Sequence, residues 1–141
     1  MRIKNILSLI FALSILYSCQ NKLPCTGKEY SSNSDVFIAS GNSLSSNEQM
    51  AADKALFDAK TRLSVQVNDY VDEKFKHPTL VPDPVYFKKL ENSKKSVLQN
   101  IEIICEKSEI KREKFCSYIA ISISKKQVEE HVKEVLKQKH E

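Results

Sequence analysis

The sequence predicts an α+β fold, a small three-stranded antiparallel sheet packed on one long helix, with the elements in the order β-α-α-β-β-α. Three observations carry this. Apolar residues recur at three- and four-residue spacing from Ala52 to Tyr70, which sets them on one face of a helix. After Asn100 the period changes to alternation, the mark of strands with one buried face. After Ser124 the helical period returns.

Each element has its own signals. Asp35-Val36-Phe37-Ile38-Ala39-Ser40-Gly41 is rich in β-formers and closes on glycine, predicting a first strand. Ser46 with Gln49 fits a capping box, in which a hydroxyl and an amide satisfy free groups at a helix start. From there Ala52, Leu56, Ala59, Leu63, Val67 and Tyr70 form one stripe, on a helix ending near His77-Pro78, because proline disfavours helical geometry in the residue before it. Asp83 as cap and Pro84 at the first helical position announce a second helix, with Phe87, Leu90, Lys94, Val97 and Leu98 along its inner side. Ile101, Ile103 and Cys105 would share one face of a second strand, and Phe115, Ile119, Ile121 and Ile123 one face of a third. The charged run Glu106 to Lys114 between them reads as an exposed hairpin tip. Ser124 with Gln127 repeats the capping-box pattern, and Val128, Val132, Val135 and Leu136 give the last helix its apolar edge.

The N-terminus has a separate logic. Arg2 and Lys4 precede an apolar run of 11 residues, Ile6 to Leu16, the layout of a secretory signal. At about 1.5 Å per residue such a run covers roughly half of a ~30 Å hydrocarbon core, so it is predicted to be removed rather than to span a membrane. Leu16-Tyr17-Ser18-Cys19 resembles the bacterial lipobox, which implies cleavage before Cys19 and acylation of that cysteine by diacylglycerol and palmitate-type chains. Each buried methylene adds ~0.8 kcal/mol of membrane affinity, so two or three chains anchor a protein durably. The chain then divides into a signal peptide at 1–18, a lipid-anchored tether at 19–34 and a single domain at 35–141. Gln20 follows the acylated cysteine, rather than the aspartate that retains lipoproteins in the inner membrane of some bacteria, and by that resemblance the expected location is the outer membrane.

Loss of Arg2 and Lys4 takes 22 basic residues to 20, against 18 acidic ones. A near-neutral domain of this kind argues against a nucleic-acid partner, which calls for a concentrated basic face. With Cys19 acylated, three cysteines remain, so one disulfide can form among three possible pairs. Alternation puts Cys105 and Cys116 on opposite faces of their strands, and pairing them would need a bulge. The expected pair is therefore Cys25 with Cys105, stapling the tether to the sheet, with Cys116 left as a thiol.

The stretch from Ala39 to Val67, a strand ending in Ala-x-Gly, a Ser-rich cap and alanines at Ala51, Ala55 and Ala59 before Arg62-Leu63, resembles the Lpp-twenty family of bacterial envelope lipoproteins. Cys105 to Val128 is similar to the strand-turn-strand-helix end of that family. The resemblance implies a helix cradled by a three-stranded sheet, dodecin-like in outline, on a surface or periplasmic lipoprotein; some relatives sit in flagellar assemblies. It brings no catalytic residues and no cofactor.

Little else in the sequence points to chemistry. His77, His131 and His140 lack the i,i+4 spacing of a metal pair, so no metal is expected. Glu129 and Glu130 ahead of Lys133 and Lys137 fit helix ion pairs better than an acid-base couple. The serines at Ser31 to Ser34 and Ser43 to Ser46 read as linker and caps, and two glycines cannot build a phosphate-cradling loop. Tyr86-Phe87-Lys88-Lys89 and Lys111 to Phe115 offer basic and aromatic groups to anionic lipid or polymer, but their interspersed acids favour a solvated face. The expected function is thus a non-catalytic envelope lipoprotein working through contact with an envelope or surface protein by a sheet face or edge. The alternative is a small-ligand binder using a groove between helix and sheet.

Overall fold

The structure, a computed structural model, describes residues 23–75 and 83–138. Cys19, where acylation is expected, and the predicted helix end at His77-Pro78 lie outside these residues. The described elements are strand β1 (Val36–Ser45), helix α1 (Glu48–Lys74), helix α2 (Pro84–Val97), strands β2 (Glu102–Lys111) and β3 (Lys114–Ser124), and helix α3 (Lys125–Lys137). The two short 3-10 turns at Lys28–Tyr30 and Leu98–Asn100 lie before β1 and before β2. The sheet is antiparallel with β3 in the middle, in the order β1-β3-β2.

Helix α1 lies across β1 and β3. Its fully buried line is Ala51, Ala55, Ala59, Leu63, Val67 and Val71, one residue displaced at either end from the predicted stripe. Leu56 and Tyr70 flank that line, half-buried. The line meets Phe37, Ala39, Ile119, Ile121 and Ile123 from the sheet, and Leu90, Val97, Val128 and Val132 from α2 and α3 close the core at one end. Burying each of these larger aliphatic side chains contributes about 1.5–3 kcal/mol.

Gly41 does not end the first strand as its position suggested. β1 continues to Ser45, and a Cβ at Gly41 would stand 2.2 Å from the Ala55 carbonyl oxygen and 2.5 Å from the Ala59 nitrogen. The glycine marks the point of closest approach between strand and helix, and the small side chains of Ala55 and Ala59 make that approach possible.

Capping follows local chemistry, with one change. Asn47, not Ser46, caps α1, its side-chain oxygen accepting from the Met50 amide at 2.9 Å. Asp83 caps α2 ahead of Pro84, accepting from the Val85 amide. Ser124 begins α3, and Gln127 accepts from its amide. In α2 Leu90, Lys94 and Val97 are buried as the stripe predicted and Leu98 is half-buried, whereas Phe87 is exposed.

The β2–β3 hairpin departs most from expectation. Its strands run almost to the tip, and only Arg112 and Glu113 form the turn, both with positive φ (49° and 63°). Two consecutive left-handed residues give a turn whose twist matches that of the strands it joins. A bulge at Ile104 shifts the register between Ile103 and Cys105, so these two residues point to opposite faces, not to one as alternation predicted.

Candidate functional site

The sheet has two unlike faces. The even-numbered residues of β3, from Cys116 through Tyr118 and Ala120 to Ser122, point away from α1. Across this open face lies the segment that sequence analysis treated as tether. Cys25, Tyr30, Cys105 and Cys116 pack with Tyr118 and Ala120 in a second small core. Cys25 and Cys105 form a disulfide with their Cα atoms 5.5 Å apart, and the Cys25 carbonyl accepts a hydrogen bond from Ser40 Oγ at 2.6 Å. Residues 25–32 therefore belong to the folded domain, whose expected start was 35.

Distance, not a difference of face, keeps Cys105 and Cys116 apart. The bulge at Ile104 brings both cysteines to the open face. Cys105 stands opposite Ala120 and Cys116 opposite Glu109, four register positions away. At about 3.4 Å per residue that is roughly 14 Å, beyond the reach of a disulfide.

Around Cys116 the open face carries a polar cluster. Lys111 Nζ donates to the Tyr118 hydroxyl at 2.8 Å and pairs with Glu109 at 2.6 Å. These contacts raise the Lys111 pKa and lower that of Glu109, in each case chiefly through the hydrogen bond between the two. Hydrogen bonding to the Cys116 thiol, opposed by Lys111, raises the Tyr118 hydroxyl.

The two outer edges differ as well. Ser32 Oγ accepts the Ile38 amide proton at 2.8 Å and donates to Gln66 Oε1, while Gln66 Nε2 donates to the Ile38 carbonyl at 3.1 Å. That ring of bonds closes the β1 edge at Ile38, and Asn33 bonds it at Val36; among the described residues nothing bonds the outward main chain of Ser40, Asn42 or Leu44. Among the described residues nothing outside the β3 ladder hydrogen-bonds to the main chain of β2. On its helix-facing side β2 also extends past α1, leaving Ile103 51% and Ile110 70% exposed.

Two shallow depressions hold polar groups. One, of about 470 Å³, lies between α1, β1 and the 25–32 segment, and Arg62, Gln66, Tyr30, Ser32 and Ser40 are among its lining. The other, of about 560 Å³, is lined by Tyr70, Lys74, Lys125, Lys126 and Glu129. In it Lys74 and the Tyr70 hydroxyl both donate to Glu129 Oε1, and these bonds, Lys74 first, hold the Glu129 carboxyl down at about 2. Lys125 rests on the rings of Phe37 and Tyr70.

Sequence reading missed two polar contacts because each depends on packing. Lys94, 7% exposed, sits between Asp72 and Glu91; burial opposes its charge, but the two carboxylates outweigh that and raise its pKa. Ser96 Oγ lies 2.7 Å from His131 Nε2 and also reaches the Asn92 and Ser93 carbonyls, so this Ser-His pair clasps α2 to α3. Among the described residues no group of three or more His, Cys, Asp or Glu side chains is placed to hold a metal, and no helix is long and apolar enough to cross a membrane. The two basic-aromatic stretches sit on different elements, the first turns of α2 and the β2–β3 turn. No protein-family model matches the sequence, and no curated protein matches it.

Proposed function

We propose that this is a non-catalytic bacterial envelope lipoprotein of the Lpp-twenty kind, anchored by acylated Cys19, that offers the edge of β2 to a protein partner. One observation carries the reading: β2 is a ten-residue edge strand with three exposed isoleucines and, among the described residues, no main-chain bond beyond the β3 ladder, while the opposite edge is bonded at Val36 and Ile38 by Asn33, Ser32 and Gln66. An open edge accepts a further strand through main-chain bonds, and alternate side chains then select the partner. The contact of Gly41 with Ala55 and Ala59 supports this reading over a ligand site, because helix and sheet touch there without space between them. The test is a photo-reactive residue at Ile110 in living cells, with one at Phe57 on the outer side of α1 as control. A discrete protein adduct from Ile110, absent from Phe57, is expected; adducts only from Phe57, or from neither, would sink the proposal.

The second reading is a ligand-binding lipoprotein. It rests on the groove of about 470 Å³ beside Arg62, which joins a guanidinium to several hydroxyls. Thermal stabilisation by small carboxylates or phosphates, abolished in Arg62→Ala, would favour it.

A further inference from the structure

The open face of the sheet is held near one end of a short leash. From Cys25, fixed by its disulfide to β2, back to Cys19 there are only six residue steps, at most about 21 Å even when fully extended. We infer that the open face of the sheet, bearing Leu44, Lys107 and Lys114, lies against the phospholipid head groups of the membrane that holds the anchor. The inference rests on the acylation of Cys19 proposed above.

Geometry disfavours the reverse orientation. Cys25 packs on the open face over Tyr118 and Ala120. A leash reaching the outer side of α1 would have to clear the sheet edge, a strand spacing or more away (about 5 Å), descend a layer separation of about 10 Å to the helix axis, and pass a helix radius of about 5–6 Å. That path is on the order of 20 Å, so it would need the whole leash drawn out almost to full extension.

The chemistry of the face suits head groups. Lys107 stands opposite Tyr118, and Lys114 continues the same row of β3 toward the turn. Neither they nor Lys28, in the segment laid across the face, has an ion-pair partner among the described residues, whereas Lys111 is taken by Glu109. The face also carries Glu102 and the segment Glu29, so its cationic excess is small and the leash rather than charge sets the orientation. Exposed Leu23, where the described chain begins, and Leu44, at the end of β1, add apolar contact at two places.

The chain contains no tryptophan, so a single one reports its own surroundings. Leu44→Trp and Lys107→Trp probe the open face, and Phe57→Trp, at a 73% exposed position, probes the outer side of α1. Each acylated full-length variant is placed on phosphatidylcholine vesicles doped with a lipid whose head group carries a nitroxide quencher. The open-face tryptophans should lose most of their emission while that at Phe57 keeps its own. Equal quenching at all three sites, or stronger quenching at Phe57, would overturn the orientation. Vesicle flotation separates the two levels: if the acylated protein floats no better than Cys19→Ser, the anchor reading itself fails and the orientation falls with it. Two open-face positions guard against one variant misfolding, and far-ultraviolet circular dichroism checks each.

Discussion

The two edges of this sheet are built from strands of equal length, yet one is capped at its start and the other is not. β1 is bonded at Val36 and Ile38 by Asn33, Ser32 and Gln66, the disulfide-held segment takes the Ser40 hydroxyl, and α1 closes its inner face. β2 has a disulfide at Cys105 and, among the described residues, main-chain bonds only to β3. The row Gly41, Ile119, Glu106 shows the difference in a single line across the sheet: glycine under the helix, isoleucine in the core, glutamate in the open. An edge left open is a liability to a free protein, and the charges along β2 limit it.

Breaking the disulfide should have the largest effect. It spans 80 positions, and in the loop-entropy model its loss costs about 4 kcal/mol. Cys25→Ser with Cys105→Ser should lower the urea midpoint accordingly and raise hydrogen exchange at Ile38, making the β1 edge behave more like that of β2. Unchanged exchange at Ile38 would show that Ser32 and Gln66 cover the edge unaided.

Next comes Gly41→Ala, whose new methyl would collide with helix backbone; overpacking of this kind costs about 3 kcal/mol. The matched change on the open side, Glu106→Ala, should move stability by no more than about 0.5 kcal/mol. Equal losses in thermal denaturation would refute the contrast between the two ends of that row.

A smaller loss, about 1–2 kcal/mol, is expected from Ser32→Ala combined with Gln66→Ala, which removes the bonds to Ile38. Calorimetry gives the size, and a new tendency to associate through β1 would be read by sedimentation.

The smallest effect is on pH dependence. The Glu129 carboxyl has its pKa depressed to about 2, so the unfolded chain takes up this proton first as pH falls. Its contribution is present above the ordinary value near 4.5 and is lost as pH drops toward about 2. Glu129→Gln should flatten that part of the stability curve and leave the curve above pH 6 parallel to the wild type. Lys74, its partner, sits beside β1, and Glu109 on β2 is also depressed, so Glu109→Gln allows the same comparison at the other edge.

Features written in neighbouring residues could be read from the sequence. Asp83-Pro84 and Ser124 with Gln127 announce helix starts because a cap is a contact between residues two or three apart. Element order and the central helix followed from periodicity. Gly41 was misread because a turn and a close approach both select glycine, and only the neighbouring helix tells them apart. Arg112 and Glu113 adopt left-handed geometry without the glycine or asparagine that usually signals it. The bulge at Ile104 left no local mark, so the face of Cys105 was wrong although its bond to Cys25 followed from the same reasoning. The contrast between the edges depends on Ser32, which looked like linker, meeting a helix residue 34 positions away.

The bond between Cys25 and Cys105 also sets how the molecule bears load. Tension applied through the N-terminus enters β2 directly at Cys105, and the chain between the two cysteines is short-circuited. If the far end of the load is a strand held on β2, force runs from the N-terminal side to that strand through a few residues while helix, core and β1 carry none. Reduction would put the intervening chain in series, adding on the order of 270 Å of slack as the domain unravels. Single-molecule extension of oxidised and reduced protein would show that difference directly: intact, this is a rigid coupling with the domain hung beside it.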